Sequence, residues 1–421
     1  MSGNRTNRIL LLTTAHSYRG EAFLQAAGRL GIEVIQAVDV PPGLARPAPG
    51  ILPITFNRPD EAVAAIVNLA ETRPLTAILA VDDSGALLAA RAAQALGLPH
   101  NAPEAAQAAR DKYVMRQMLA AGGAAVPPFR NFALDEPLEQ VTAVVQSAIG
   151  YPCVVKPRAL NGSRGVIRAD DGEELAAAVT RLRRLLQSFG GETYLVEQFI
   201  PGFEVALEGV LANGRLHVLA LFDKPDPLDG PYFEETIYVT PSRLPAETQQ
   251  AIAAMAERGA RALGLQTGSV HAELRVNEAG PWIVEVNGRS IGGLCSRTLR
   301  FEMNMSLEEL LLRQACGLDV SGLKREEKAS GVMMIPIPQA GILRGYSGVE
   351  AARQIPSIDE VVITAPLNQR ILPLPEGESY LGFIFASGQT PDEVETALRL
   401  AHGRLRFQID EEIRLSVAGN R

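Results

Sequence analysis

Two stretches of this chain place residues capable of phosphate and metal chemistry at spacings a sheet can use. His271-Ala-Glu273 is followed by Val284-Glu285-Val-Asn287-Gly-Arg289. In paired strands the side chains at i and i+2 share a face, so Glu285, Asn287 and Arg289 point the same way and Glu273 can sit opposite them. Two carboxylates and an amide oxygen on one sheet face make a hard-oxygen site suited to magnesium. Such a site uses one or two carboxylates and leaves room for substrate phosphates. The plainer alternative is a salt-bridged strand face in which Arg289 pairs with Glu273 or Glu285. Asn287 and the small pair Gly292-Gly293 fit that alternative poorly.

Lys156 closes the apolar run Pro-Cys153-Val-Val-Lys and is followed by Asn161-Gly-Ser163-Arg164-Gly165. A lysine ending a buried strand either snorkels to solvent or reaches for an anion. Small residues after it let backbone N–H groups approach a phosphate, and Arg164 adds charge. Further on, Glu197-Gln198-Phe199-Ile200 and then Glu204 could offer backbone groups to an adenine edge and a carboxylate to ribose hydroxyls. Read without its neighbours, this last stretch is a plain hairpin.

The elements that must position these residues follow from periodicity. The continuous apolar run at 8–13 and the segments 33–38 and 76–81 are expected to be strands, alternating with helices at 20–30, 60–71 and 84–96, the last stopped by Gly97. That alternation means a parallel sheet with crossover helices over the first hundred or so residues. The turn after the first strand reads TTAHSYRGE and lacks GxGxxG, which argues against a dinucleotide there. From Lys112 the pattern changes. Helices are expected at 112–121, 173–187 and 246–263, and strands at 153–156, 194–199, 204–211, 271–276 and 282–286. A new unit begins near Ala329, with a strand at 381–386, a helix at 391–404 and a final strand. The basic run Arg181, Arg183, Arg184 sits in a helical pattern and is expected to be a solvated face.

The 421 residues exceed what one core supports, so about two to four packed units are expected. A net charge of −8 argues against a nucleic-acid partner, since phosphate backbones want clustered Lys and Arg. Cys153, Cys295 and Cys316 are few, odd in number and far apart, which suits a reducing compartment and buried apolar roles. The apolar run Ile9–Leu12 is too short for a signal peptide, and His16, Tyr18 and Arg19 follow it. No stretch approaches the roughly 20 apolar residues of a membrane span. A cytoplasmic protein without membrane contact is expected.

With Lys112, Lys156, the small-residue loop, Glu197 to Glu204, HAE and EVNGR in this order, residues of about 105 to 300 resemble the ATP-grasp superfamily. Pro231-Tyr-Phe-Glu-Glu235-Thr and EVNGRSIGG make the chain similar, within it, to carboxylate–amine ligases and notably to dipeptide-forming L-amino acid ligases. The resemblance implies an α/β fold, α+β in part. Its parts would be a Rossmann-like N-terminal domain (1–110), a two-part ATP-grasp region (111–328) with a mobile lid at about 125–195, and a C-terminal α/β domain (329–421).

It further implies that Lys112 and Lys156 hold the α- and β-phosphates and that Ser163 closes over the β- and γ-phosphates. Glu197 with the backbone of Gln198, Phe199 and Ile200 would hold adenine, and Glu204 the ribose. Glu273, Glu285 and Asn287 would bind two magnesium ions, with manganese able to replace them. Arg289 would stabilise the transferring phosphoryl group, and Gly292, Gly293 and Glu235 would face substrate. Gly288 and Gly293 depart from family members that carry Ala or Pro, and a bulky side chain, at those places. Glu235 could hold an α-amino group or simply be solvated. The expected partners are a small carboxylate and an amine, and a homodimer is common among such folds. The alternatives are a biotin-carboxylase-like or purine-pathway ligase on the same fold, and a non-catalytic ATP-binding regulatory module.

Overall fold

The computed structural model describes residues 7–15, 17, 19–41, 43, 48–320, 322–377 and 379–411; His16 and Tyr18 lie outside them. The chain divides into two compact units, Met1–Val126 with Ile200–Phe222 and Ser242–Glu327, and Pro127–Phe199 with Asp223–Pro241 and Lys328–Arg421.

In the first unit, strand Arg8–Thr14 is the apolar run expected of a strand covered on both faces, and its central residues are all buried. It pairs in parallel with Glu33–Asp39 on one side and Ala77–Ala80 on the other, and Ile51–Ile54 adds an edge. Helices Arg19–Leu30 and Pro59–Thr72 supply crossovers, and Asp83–Ala95 follows the last strand of the sheet.

The rest of the unit is antiparallel: Phe203–Ala212 pairs with Gly268–Asn277, which pairs with Gly280–Asn287. Along Gly268–Asn277 the alternation is clean. Val270, Ala272 and Leu274 enter a core with Met115 and Leu119 of helix Lys112–Ala121 and with Ile252, Ala256 and Ala260 of helix Ala246–Ala262. His271, Glu273 and Arg275 take the other face. The helix packs closely here: a Cβ at Gly259 would lie 2.6 Å from Ile283 Cδ1.

Simple alternation along Gly280–Asn287 would put Ile283 on the face of Glu285 and Asn287. The register instead shifts between Glu273 and Leu274: Glu273 faces Glu285, while Leu274 faces Ile283. Val284 is thus a bulge residue, which lets Ile283 and Val286 both reach the core. Arg116, 2% exposed, donates from Nη2 to the Val284 carbonyl at 2.8 Å and so satisfies a group that the bulge takes out of the ladder.

In the second unit, strands Phe129–Ala133, Thr193–Gln198, Cys153–Pro157 and Ile167–Ala169 form an antiparallel sheet in that order. Helices Leu138–Ala148 and Gly172–Gln187 cover it through Val141, Val145, Leu175, Val179 and Leu182. Asp171 caps the second helix, accepting from the N–H groups of Glu173 and Glu174. A further antiparallel group, Ile237–Thr240, Ala329–Ile335, Gly382–Gly388 and Ile358–Ile363, packs against helix Pro391–His402.

Cys153 and Cys295 are buried and Cys316 is half-buried, and burial pushes the Cys153 thiol up to about 12. Among the described residues no helix is long and apolar enough to cross a membrane.

The basic run keeps Arg181 and Arg184 exposed, as a solvated face would, and adds specific partners. Arg181 is not merely solvated: it grips Glu376 with Nε at 2.6 Å and Nη2 at 2.8 Å, and stacks over the Tyr232 ring. Arg183 donates to the Glu136 carbonyl and lies over the Tyr194 ring. Partners remote in sequence bring these side chains down onto the unit.

Candidate active site

On the bulged face of the first unit, Glu273 lies opposite Glu285, and His271 opposite Asn287. Like charges directly opposed across strands are destabilising, and each carboxylate here has a cationic neighbour. Lys112, the first residue of its helix, places Nζ 3.2 Å from Glu285 Oε1. His271 Nε2 lies 3.4 Å from Glu273 Oε1. Glu204, on the neighbouring strand, brings a carboxylate oxygen within 4.8 Å of one on Glu273, while Arg275 Nε sits 3.8 Å from Glu204 Oε2. Asn287, 2% exposed, lies two residues beyond Glu285 on the same strand and opposite His271. Closely spaced carboxylates and an amide oxygen fit magnesium by donor chemistry.

Arg289 follows the strand. Its Nε donates to Asp83 Oδ2 at 2.7 Å and its Nη1 to the Ser290 carbonyl at 3.0 Å. Burial works against its charge, but Asp83 above all, with Glu285 and Glu273 adding to it, drives its pKa up, so the guanidinium stays cationic. The ion pair therefore runs to Asp83 and not to Glu273 or Glu285. Asp83 opens helix Asp83–Ala95, whose N-cap is Asp82.

Next along the chain, Ser290 Oγ accepts from Arg19 Nη2 at 2.6 Å. A Cβ at Gly292 would meet only Arg289 Nη1, at 3.9 Å, and Gly293 has a left-handed φ of 60° that a bulky side chain would resist. A cavity of about 630 Å³ opens beside Asp83, Arg289 and Ser290, walled in part by Ala86, Ala89 and Leu265.

His271 is the most constrained group on this face. Nδ1 lies 3.2 Å from Glu208 Oε2, and both residues are buried. Burial would lower its pKa, but the contacts with Glu208 and Glu273 outweigh burial and raise it to about 9.

In the second unit, Lys156 and Glu197 lie on paired strands and form a buried ion pair, Nζ to Oε1, at 2.5 Å. Phe199, Val154, Val166 and Phe233 form a small apolar cluster, with Arg168 stacked 4.3 Å over the Phe199 ring. The N–H groups of Gln198 and Phe199 are committed to the carbonyls of Pro128 and Pro152. Both backbone donors are thus used within the unit.

Ser163 sits at φ 54° in the loop after Lys156. That loop is fastened: Gly165 N–H donates to the Pro375 carbonyl at 2.8 Å, and Arg164 Nε to the Glu376 carbonyl at 2.8 Å. The Arg164 guanidinium lies 4.5 Å over the Phe189 ring. Glu235 is held, not merely solvated: Lys224 Nζ pairs with it at 2.5 Å and the Tyr238 hydroxyl donates to it at 2.8 Å.

Lys112, Glu204, Glu273, Glu285, Asn287 and Arg289 thus share one face with Gly292 and Gly293 nearby, whereas Lys156, Ser163, Glu197, Gln198, Phe199 and Glu235 belong to the second unit. Asp83, Arg116, Lys224 and Glu208 are absent from the sequence-based expectation. They share no motif with their partners, and only the folded chain joins them.

The chain matches the family model of an ATP-grasp domain over residues 149–298 and of an ATP-grasp N-terminal domain over 24–100. Residues 333–410 match L-amino acid ligase C-terminal domain 2. The chain belongs to the ATP-grasp carboxylate–amine ligases. This ATP-grasp ligase is similar to the crystal structure of an L-amino acid ligase from Bacillus licheniformis, at 26% identity and a TM-score of 0.81, covering 97% of this chain and 100% of that one. It is 28% identical to alanine–anticapsin ligase of Bacillus subtilis, a match that spans 62% of this chain and 58% of that protein. It is 32% identical to a D-alanine–D-alanine ligase of Desulforudis audaxviator, over 49% of this chain and 67% of that protein.

Proposed function

We propose that this ATP-grasp ligase joins the carboxylate of an amino acid to an amine through an acyl phosphate, giving an amide or dipeptide, ADP and phosphate. The observation that carries this reading is the first unit's sheet face. Glu273 and Glu285 face each other, Asn287 is buried two residues further along the same strand, and Arg289 is held charged beyond its end.

A carboxylate is a poor acyl donor, and its attack on a γ-phosphate brings two anions together. Positioning and fixed positive charge must offset that repulsion. When bound, magnesium supplies charge neutralisation between phosphate oxygens; Glu273, Glu285 and Asn287 would hold it, as two ions. Arg289 would meet the charge that develops on the transferring group. Lys112 and Lys156 would bind phosphates, and Ser163 would cover them. Glu197 and the carbonyls that follow it would hold adenine, and Glu204 the ribose. The likeness to an L-amino acid ligase and to alanine–anticapsin ligase supports amino acids as substrates. Glu235, oriented by Lys224 and Tyr238, would hold an α-amino group.

The test is phosphate release screened over amino acids and small carboxylates, alone and in pairs, with hydroxylamine added in place of the amine. The expected result is release that needs both partners, and a hydroxamate of the carboxylate when hydroxylamine replaces the amine. Release supported by bicarbonate alone, with no response to any amine, would overturn the reading.

Lys156 gives a second, narrower check. Lys156→Ala is expected to weaken ATP binding by about 10- to 100-fold, the range for one charge-assisted contact. It should also lower stability, because Glu197 is left buried without its partner. Calorimetry on the folded variant decides: unchanged ATP affinity makes Lys156 a structural ion-pair residue.

A further inference from the structure

Glu208 is fully buried on strand Phe203–Ala212, and among the described residues its Oε1 has no hydrogen-bond partner. Enclosing a carboxylate this completely opposes folding by several kcal/mol unless its contacts offset the loss of water, and an apolar residue of that size would pack more favourably. What Glu208 does with its other oxygen is specific. Oε2 accepts the Ile291 N–H at 2.9 Å and lies 3.2 Å from His271 Nδ1. The opposite ring nitrogen, Nε2, is 3.4 Å from Glu273 Oε1. The imidazole therefore lies between the two carboxylates, hydrogen-bonded at Nδ1 and within ion-pair distance at Nε2.

One buried oxygen thus reaches both halves of the candidate site. Through His271 it fixes the carboxylate of Glu273. Through Ile291 it fixes the backbone just beyond Arg289 and Ser290, where Arg19 also anchors the Ser290 hydroxyl. We propose that Glu208 and His271 are positioning residues that set Glu273 relative to the Arg289 turn, so that metal binding and phosphoryl stabilisation share a single buried anchor. This rests on the metal-face reading above, and the experiment separates the two.

Manganese binding is followed by electron paramagnetic resonance, with a non-hydrolysable ATP analogue and no carboxylate or amine present. Parent, Glu285→Gln, His271→Gln and Glu208→Gln are compared well below their melting temperatures. Partners that orient a metal ligand typically carry about 10- to 100-fold in metal affinity. That weakening is expected for His271→Gln and Glu208→Gln, with the KM for ATP little changed once metal is saturating and kcat reduced. If Glu285→Gln weakens manganese but the folded His271→Gln stays within about threefold of parent, the positioning role is overturned and the metal face stands. If Glu285→Gln itself leaves affinity unchanged, the metal face is wrong and the proposal falls with it. Should Glu208→Gln fail to fold, His271→Gln decides alone, since it removes the bridge while keeping an amide donor for Glu273.

Discussion

Glu285→Gln is expected to lose turnover by more than about 10²–10³-fold while remaining folded. Its carboxylate faces Glu273 across the ladder and pairs with Lys112. The substitution keeps shape and removes one charge from a half-buried face, where both Lys112 and Glu285 retain some solvent contact. The cost to stability should therefore be about 1 kcal/mol or less, as for ion pairs near a surface. Removing a metal ligand forfeits several kcal/mol of charge stabilisation in the reaction, which sets the size of the rate loss. Steady-state phosphate release at saturating magnesium, beside a melting curve, measures both. Turnover within tenfold of parent would remove Glu285 from the metal face.

Arg289→Ala is expected to cut kcat by about 10²–10³-fold and to raise the KM for ATP far less, because its charge acts where negative charge develops during transfer. Arg289→Lys should rescue little. The guanidinium commits Nε to Asp83 and Nη1 to Ser290, and still presents further N–H donors in a fixed plane, an arrangement a single ammonium cannot copy. Asp83→Asn, close in shape, should lie between: the arginine remains, held less firmly. Saturating carboxylate and amine are required so that phosphate release reports the chemical step. Near-parental turnover in both Arg289 variants would leave the Asp83–Arg289 contact as a structural ion pair and nothing more.

The sequence was most readable where local periodicity and chemistry coincide. Strand Arg8–Thr14 announces itself by an unbroken apolar run, and the Glu273–Glu285 pairing by two adjacent strands with acidic residues at matching offsets. Even there, alternation alone misplaces Ile283, because a bulge of one residue at Val284 resets the face. Asp83 could not have been linked to Arg289 from the sequence: 206 residues separate them and neither flanking stretch hints at the other. Helix Leu138–Ala148 carries a weaker start signal, since Pro137 at its N-cap offers no side-chain hydrogen bond. Helix Leu307–Ala315, by contrast, carried a signal that could have been used, the capping box of Ser306 and Glu309. The sharing of each compact unit among three separate chain segments was not readable at all, since it depends on contacts between distant segments.

The fastening of the loop at Asn161–Gly165 has a bearing on how this chain can be recombined with its relatives. Its anchor points, the carbonyls of Pro375 and Glu376, belong to a turn more than two hundred residues downstream, and Arg181 grips the Glu376 side chain from the helix beside the loop. A crossover placed anywhere between the loop and that turn exchanges one side of the fastening without the other. Chimeras that inherit residues 160–190 and 370–380 from the same parent keep the fastening whole. Those that mix parents acquire a loop whose grip is set by whichever turn the second parent happens to bring.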